Sequence, residues 1–223
     1  MKELIPNYQA LHIPCFNDGS HDDKISAETF LDDQPRNPLN PTEWLDMKND
    51  RPQVSFVAAY GHERFYLKFY VNEKYFKSDY LNTHDPVSKD SCVEFFVSFD
   101  QKSYYNFEFN ALGTCLAAFG ADRDDREKLP LEVVNQIQRS VTWQRFLPEE
   151  AVYEWELSLV IPFSTFCFSD LKGIKNDQIT ANFYKCGDDL EMPHYLSWNP
   201  VRSEAIDFHQ PAFFGQLFFS DKS

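Results

Sequence analysis

The constraint that most limits this chain is a pair of runs in which every second residue is apolar. They are Asp90-Ser91-Cys92-Val93-Glu94-Phe95-Phe96-Val97 and Tyr104-Tyr105-Asn106-Phe107-Glu108-Phe109-Asn110. Side chains alternate across a strand, so a period of two gives one apolar face and one mixed face. Val93, Phe95, Val97 and Phe99 fall on the inner face of the first run, and Glu94, Phe96 and Ser98 on the other. In the second run Tyr105, Phe107 and Phe109 point inward, and Asn106, Glu108 and Asn110 outward. Such a polar face, beside an aromatic loop, is suited to binding a sugar.

Further strand signals lie at Val54–Tyr60, Arg64–Val71, Thr114–Phe119, Ser140–Phe146, Val152–Ile161, Ile179–Cys186 and Phe213–Ser220. Turn-forming residues separate them. The prediction is an all-β fold, an antiparallel β-sandwich of about nine strands with one or two short helices. The helical candidates are Phe163–Phe168, after Pro162, and Leu131–Gln138, which reads equally as a continuing loop. Residues 1–52 contain Pro35, Pro38, Pro41 and Pro52, and read as an irregular arm with one or two short strands. No flexible linker or repeat follows, so residues 1–223 read as one domain. The charged stretch Asp122–Lys128 reads as a solvated loop.

A composition of 43% hydrophobic residues, with 22 Phe, 11 Tyr and 4 Trp, supplies a large core. The net charge of −14 and the lack of a basic stripe argue against nucleic acid and against anionic membrane surfaces. No run is long enough to insert across a bilayer. Met1–Asn7 has no apolar leader core, so the chain as given reads as cytoplasmic, and as periplasmic or secreted if a leader was removed. Five cysteines without a Cys-x-x-Cys pair read as buried free thiols rather than a zinc or redox motif. Nothing in the sequence sets an oligomeric state.

Glu94 and Glu108 lie on runs joined by a short connection and can be neighbours on one face. Paired carboxylates serve as an acid and base in glycoside hydrolysis, as partners for sugar hydroxyls, or merely as solvated acids. Asn106, Asn110 and Asn182 could join the hydroxyl-binding set. Trp198 and Tyr195 sit in a turn-prone segment and offer apolar plates for a pyranose ring. The alternative for Trp198 is a plug at the end of the sandwich. His194 and His209 flank that loop and could shape it by hydrogen bonding. The acidic clusters Asp18/Asp22/Asp23, Asp32/Asp33, Asp122/Asp124/Asp125 and Asp188/Asp189 read as solvated loops, with calcium as the rarer alternative.

Together these strings resemble the family 9 carbohydrate-binding modules, and more closely the family-9-like single-domain proteins of Bacteroidetes. The likeness is carried by the two runs above with Gly113, by Asn182-Phe183-Tyr184-Lys185-Cys186-Gly187-Asp188 and by His194-Tyr195-Leu196-Ser197-Trp198-Asn199-Pro200. It closes with Phe208-His209-Gln210-Pro211 and Phe213-Phe214-Gly215-Gln216-Leu217. The resemblance implies a sandwich shared with DOMON-type domains, binding of gluco- or xylo-configured sugars, and structural calcium. It implies Glu94 as a sugar-contacting acid, Lys185 within the site string and Trp198 as one of two clamp aromatics. Tyr80 or Tyr75 would supply the second, because residues 82–89 contain no tryptophan. The leading expectation is non-catalytic carbohydrate binding in glycan breakdown. The alternatives are a glycoside hydrolase using Glu94 and Glu108, and a structural or partner-binding sandwich with no sugar site.

Overall fold

The computed structural model describes residues 9–17, 26–44, 51–171 and 179–220. Its strands, in chain order, are β1 (Ala10–Ile13), β2 (Asn37–Pro38), β3 (Asn40–Pro41), β4 (Gln53–Gly61), β5 (Arg64–Glu73), β6 (Cys92–Ser98) and β7 (Tyr104–Asn110). There follow β8 (Cys115–Gly120), β9 (Arg126–Lys128), β10 (Gln138–Leu147), β11 (Val152–Pro162), β12 (Thr180–Cys186), β13 (Tyr195–Ser197) and β14 (Gly215–Phe219). Two short helices complete the set, α1 (Ala27–Asp32) and α2 (Leu131–Val134).

The strands make two sheets. One runs β1-β14-β12-β6-β7-β8-β9, with β13 joining β12 to β3; the other runs β10-β11-β5-β4-β2. Pairing is antiparallel except between β1 and β14. The inner faces meet as the alternation predicts. Val93, Phe95, Tyr105, Phe107, Phe183, Phe56, Leu67, Phe69, Trp155 and Leu157 fill the space between the sheets. Phe56 stacks on Phe183 at 3.7 Å, and Phe183 on Phe95 at 5.1 Å. Burial of such rings is the main favourable term in folding a sandwich of this kind.

Two features depart from the sequence prediction. The N-terminal arm contributes an ordered helix: Ser26 caps α1, its Oγ accepting from the Thr29 N–H at 3.1 Å. Leu31 of that helix packs with Val57, Ala59, Tyr66 and Tyr70 on the outer face of the smaller sheet. The larger sheet is also covered on its outer face. The segment after β13 folds back so that Val201, Phe208 and Phe214 pack on Cys92, Phe96, Tyr104 and Tyr184. Both faces of β6 and β7 are therefore buried along their whole length. The outward-pointing acids of these strands sit beneath a cover, not in open solvent.

Candidate functional site

Register places Glu94 of β6 directly opposite Glu108 of β7, and opposite Tyr184 of β12 on its other side. The two acids form part of a cleft of about 510 Å³ on the outer face of the larger sheet. They are only 3% and 5% exposed, although the cleft opens to solvent. Glu94 Oε1 accepts from the Cys186 thiol at 2.9 Å, and Glu108 Oε1 from the Asn106 amide at 2.9 Å. The Arg126 guanidinium lies 3.8 Å from Glu108.

This arrangement shifts both carboxyl groups toward the protonated form. Burial, and then repulsion from Glu108, push Glu94 well above the usual carboxylate range. Burial raises Glu108 to about 7, although Arg126 and the Asn106 amide pull it down. Both shifts favour the protonated form, and a carboxyl pair sharing a proton presents both an O–H donor and carboxylate acceptors. The side-chain Oδ1 of Asn106 is buried and has no hydrogen-bond partner among the described residues. A floor of this kind matches hydroxyl groups, which both give and take hydrogen bonds.

The walls come from loops that the strands hold in place. Asp188, after β12, lines the cleft with Tyr195 and Ser88, and burial raises its carboxyl above the usual range. Phe208 stacks on Tyr184 at 4.1 Å and meets Tyr195 edge to face at 6.0 Å, so the two cleft aromatics form a corner rather than two parallel plates. Arg123 and Arg126 line the same cleft. His209 Nδ1 pairs with the Tyr104 hydroxyl at 2.9 Å, and burial, then the two arginines, push it down to about 3.

Several residues expected at a ligand have other work. Trp198 is 3% exposed and belongs to the inner core, where it meets Phe56 and Phe183 edge to face. It is the plug, and it shares no hollow with Glu94. Gly215 makes room for it: a Cβ there would lie 2.5 Å from the indole. Lys185 points between the sheets, because its neighbours Tyr184 and Cys186 occupy the outward places. There it pairs with Glu73 at 2.9 Å and with His194 Nε2 at 2.7 Å, while Glu73 accepts from the Trp155 N–H at 2.8 Å. His194 thus belongs to this buried network.

Asn182 and Asn110 point outward as expected, but their amides are committed to backbone. Asn182 bonds Asn199 in both directions and also donates to the Phe213 carbonyl. Asn110 donates to the Tyr80 carbonyl and to Asp90, and accepts from Leu112 and Thr114 N–H. Tyr80 packs against the outer apolar cluster and does not line the cleft. Of the expected set, Glu94, Glu108 and Tyr195 line the cleft, with Asn106 bonded to its floor.

Calcium takes about six to eight oxygen ligands, and no described acidic cluster brings three carboxylates to one point. Asp32 is held by Lys68 and Tyr70, and Asp122 Oδ1 accepts the N–H groups of Asp124 and Asp125. Asp189 lies 3.6 Å from both Lys77 and Lys89. The Asp18/Asp22/Asp23 cluster lies outside the described residues. The arginines were missed because Arg123 and Arg126 sit in a charged stretch with no strand period. Phe208 carried no face signal either; its role comes from the cover folding back.

The sequence profile of carbohydrate-binding family 9 matches residues 29–219. A proposed carbohydrate-binding protein from Bacteroides uniformis ATCC 8492 has a similar structure, with 33% identity, a TM-score of 0.83, and coverage of 96% of this chain and 100% of that one. A family 9 carbohydrate-binding module from Caldicellulosiruptor kristjanssonii in complex with cellotriose matches at 12% identity and a TM-score of 0.59, covering 96% and 95% of the two chains. The glucose complex of a family 9 module from the same organism gives 12%, 0.55, 96% and 97%. At that identity these two bear on the fold alone. No curated protein matches the chain.

Proposed function

Because the chain belongs to carbohydrate-binding family 9, we propose that it is a non-catalytic carbohydrate-binding protein whose saccharide enters the cleft over Glu94 and Glu108. The observation that carries this reading is the buried, directly opposed Glu94–Glu108 pair at the bottom of a solvent-open cleft with aromatic walls. Sugar hydroxyls would bond the floor, and an apolar sugar face would lie against Phe208 or Tyr195. We assign the ligand to gluco- or xylo-configured sugars. The family 9 profile over residues 29–219 supports a saccharide ligand, and the choice of sugar follows the family resemblance.

The hydrolase alternative uses the same two acids. As direct cross-strand neighbours they stand side by side, with side chains about 5 Å apart at Cβ. A glycosidase instead needs its carboxyl groups flanking the scissile bond. Carboxyl groups about 5 Å apart also suit a retaining glycosidase, so the preference for binding rests on the family 9 profile over residues 29–219.

Calorimetry with glucose, xylose, cellobiose and xylobiose tests the reading. Binding of at least one is expected, weakened by about 1–3 kcal/mol in Glu108→Ala or Phe208→Ala. No heat from any of the four at millimolar concentrations would retire it. Release of product from aryl-glycosides would favour the hydrolase.

A further inference from the structure

Cys92 and Cys186 are directly opposed on β6 and β12, and Glu94 lies two residues along β6 on the same face. One ligand atom from each of the three lies within 4.8 Å of the other two, and all three residues are buried. This is the one such convergence of three or more His, Cys, Asp or Glu side chains among the described residues. No sequence spacing reveals it, because two ligands are strand neighbours and the third comes from across the sheet. The thiols have weak partners otherwise. Cys92 Sγ lies 3.6 Å from its neighbour's carbonyl, and Cys186 Sγ lies 3.5 Å from the Ser88 carbonyl besides its bond to Glu94. Cys186 and Glu94 line the cleft, so a solute has a route in.

We propose that Cys92, Glu94 and Cys186 bind one thiophilic divalent cation of the zinc class, with a fourth position open to the cleft. Tetrahedral zinc with Zn–S of about 2.3 Å and Zn–O of about 2.1 Å holds its ligand atoms less than about 4 Å apart, so small side-chain adjustments suffice. Two sulfurs select a soft ion over calcium or magnesium, which prefer oxygen. Binding releases the thiol protons and the proton on Glu94 to solvent, and three anionic ligands then face one dication. Arg123 and Arg126 on the cleft wall offset the remaining negative charge. The site shares Glu94 with the proposed saccharide floor, but its test contains no sugar, so the two readings fail independently.

The test uses Co²⁺ as a spectroscopic stand-in on the full chain, reduced, with the accessible thiols removed by Cys15→Ser and Cys167→Ser. Stoichiometric addition should give the visible bands of a tetrahedral site and a sulfur-to-cobalt charge-transfer band. Zn²⁺ should bleach both, and excess Ca²⁺ neither. Glu94→Gln should weaken binding at least about tenfold, and Cys92→Ser or Cys186→Ser should lower the charge-transfer intensity. Absence of that band, or its full persistence in folded Cys92→Ser/Cys186→Ser protein, would overturn the proposal. Should the cysteine variants fail to fold, alkylation mapped by mass spectrometry replaces them. One equivalent of Zn²⁺ should protect Cys186 of the parent chain, and unchanged labelling would overturn the proposal equally.

Discussion

Replacing Trp198 by alanine removes an indole that packs between Phe56, Phe183 and the backbone at Gly215. The expected cost is about 3–5 kcal/mol of stability, read by denaturant unfolding. Sugar affinity per folded molecule should be unchanged, because the indole faces away from the cleft. A loss of affinity with stability intact would put Trp198 back at the ligand. The Lys185–Glu73 pair makes a second residue-scale case. Lys185→Met strands a buried carboxylate and should cost about 3–5 kcal/mol; adding Glu73→Gln, which still accepts from Trp155, should restore much of it. Legibility at this scale followed strand parity. Glu94 and Glu108 could be placed on one face because a period of two has only one outward set. Lys185 follows the same parity and was still misassigned, because a charged residue counting inward was read as a ligand group. Trp198 is adjacent to a very short strand, so its side had no periodic signal.

At the scale of elements, the cleft depends on the return segment that covers the larger sheet. Asn182 and Asn199 pin its two ends: Asn182 bonds the Asn199 backbone in both directions, and both amides donate to the Phe213 carbonyl. Asn182→Ala should leave those groups unsatisfied and loosen the cover. Faster hydrogen exchange across residues 199–214 is expected, with weaker saccharide binding and little change at β4 or β5. Uniformly unchanged exchange would show that the apolar contacts hold the cover alone. The nine longer strand runs were readable from sequence because each spans several alternations. Four-residue β1, two-residue β2 and β3, three-residue β9 and β13, and the cap-initiated α1 in a proline-rich arm were not. Such short pieces exist only because a neighbouring strand supplies their partners, and that information is tertiary.

For the molecule as a whole, acid should erode stability through its buried imidazoles. Burial, and then the Lys185 ammonium, hold His194 down to about 2, against 6.5 in the unfolded chain. The unfolded state therefore takes up a proton that the folded state refuses. Stability from this group is present above pH 6.5 and falls as pH drops toward 2, by up to about 1.4 kcal/mol per pH unit. Glu108 works in the opposite sense between pH 4.5 and about 7, because its folded form holds the proton more tightly. Denaturation midpoints from pH 7.5 to 4.5 should fall less steeply in His194→Gln than in the parent protein. Equal slopes would mean that His194 is protonated in place.

The parallel register of Ala10–Ile13 with Gly215–Phe219 sets the order in which a ribosome can deliver a finished product. The earliest of the described strands has no ladder partner until residues 216–219 have been made, so the sheet edge must wait, unzipped, while the intervening chain is translated. Messages that stop short of codon 215 should yield chains whose opening segment is readily clipped by protease, however well the middle has condensed.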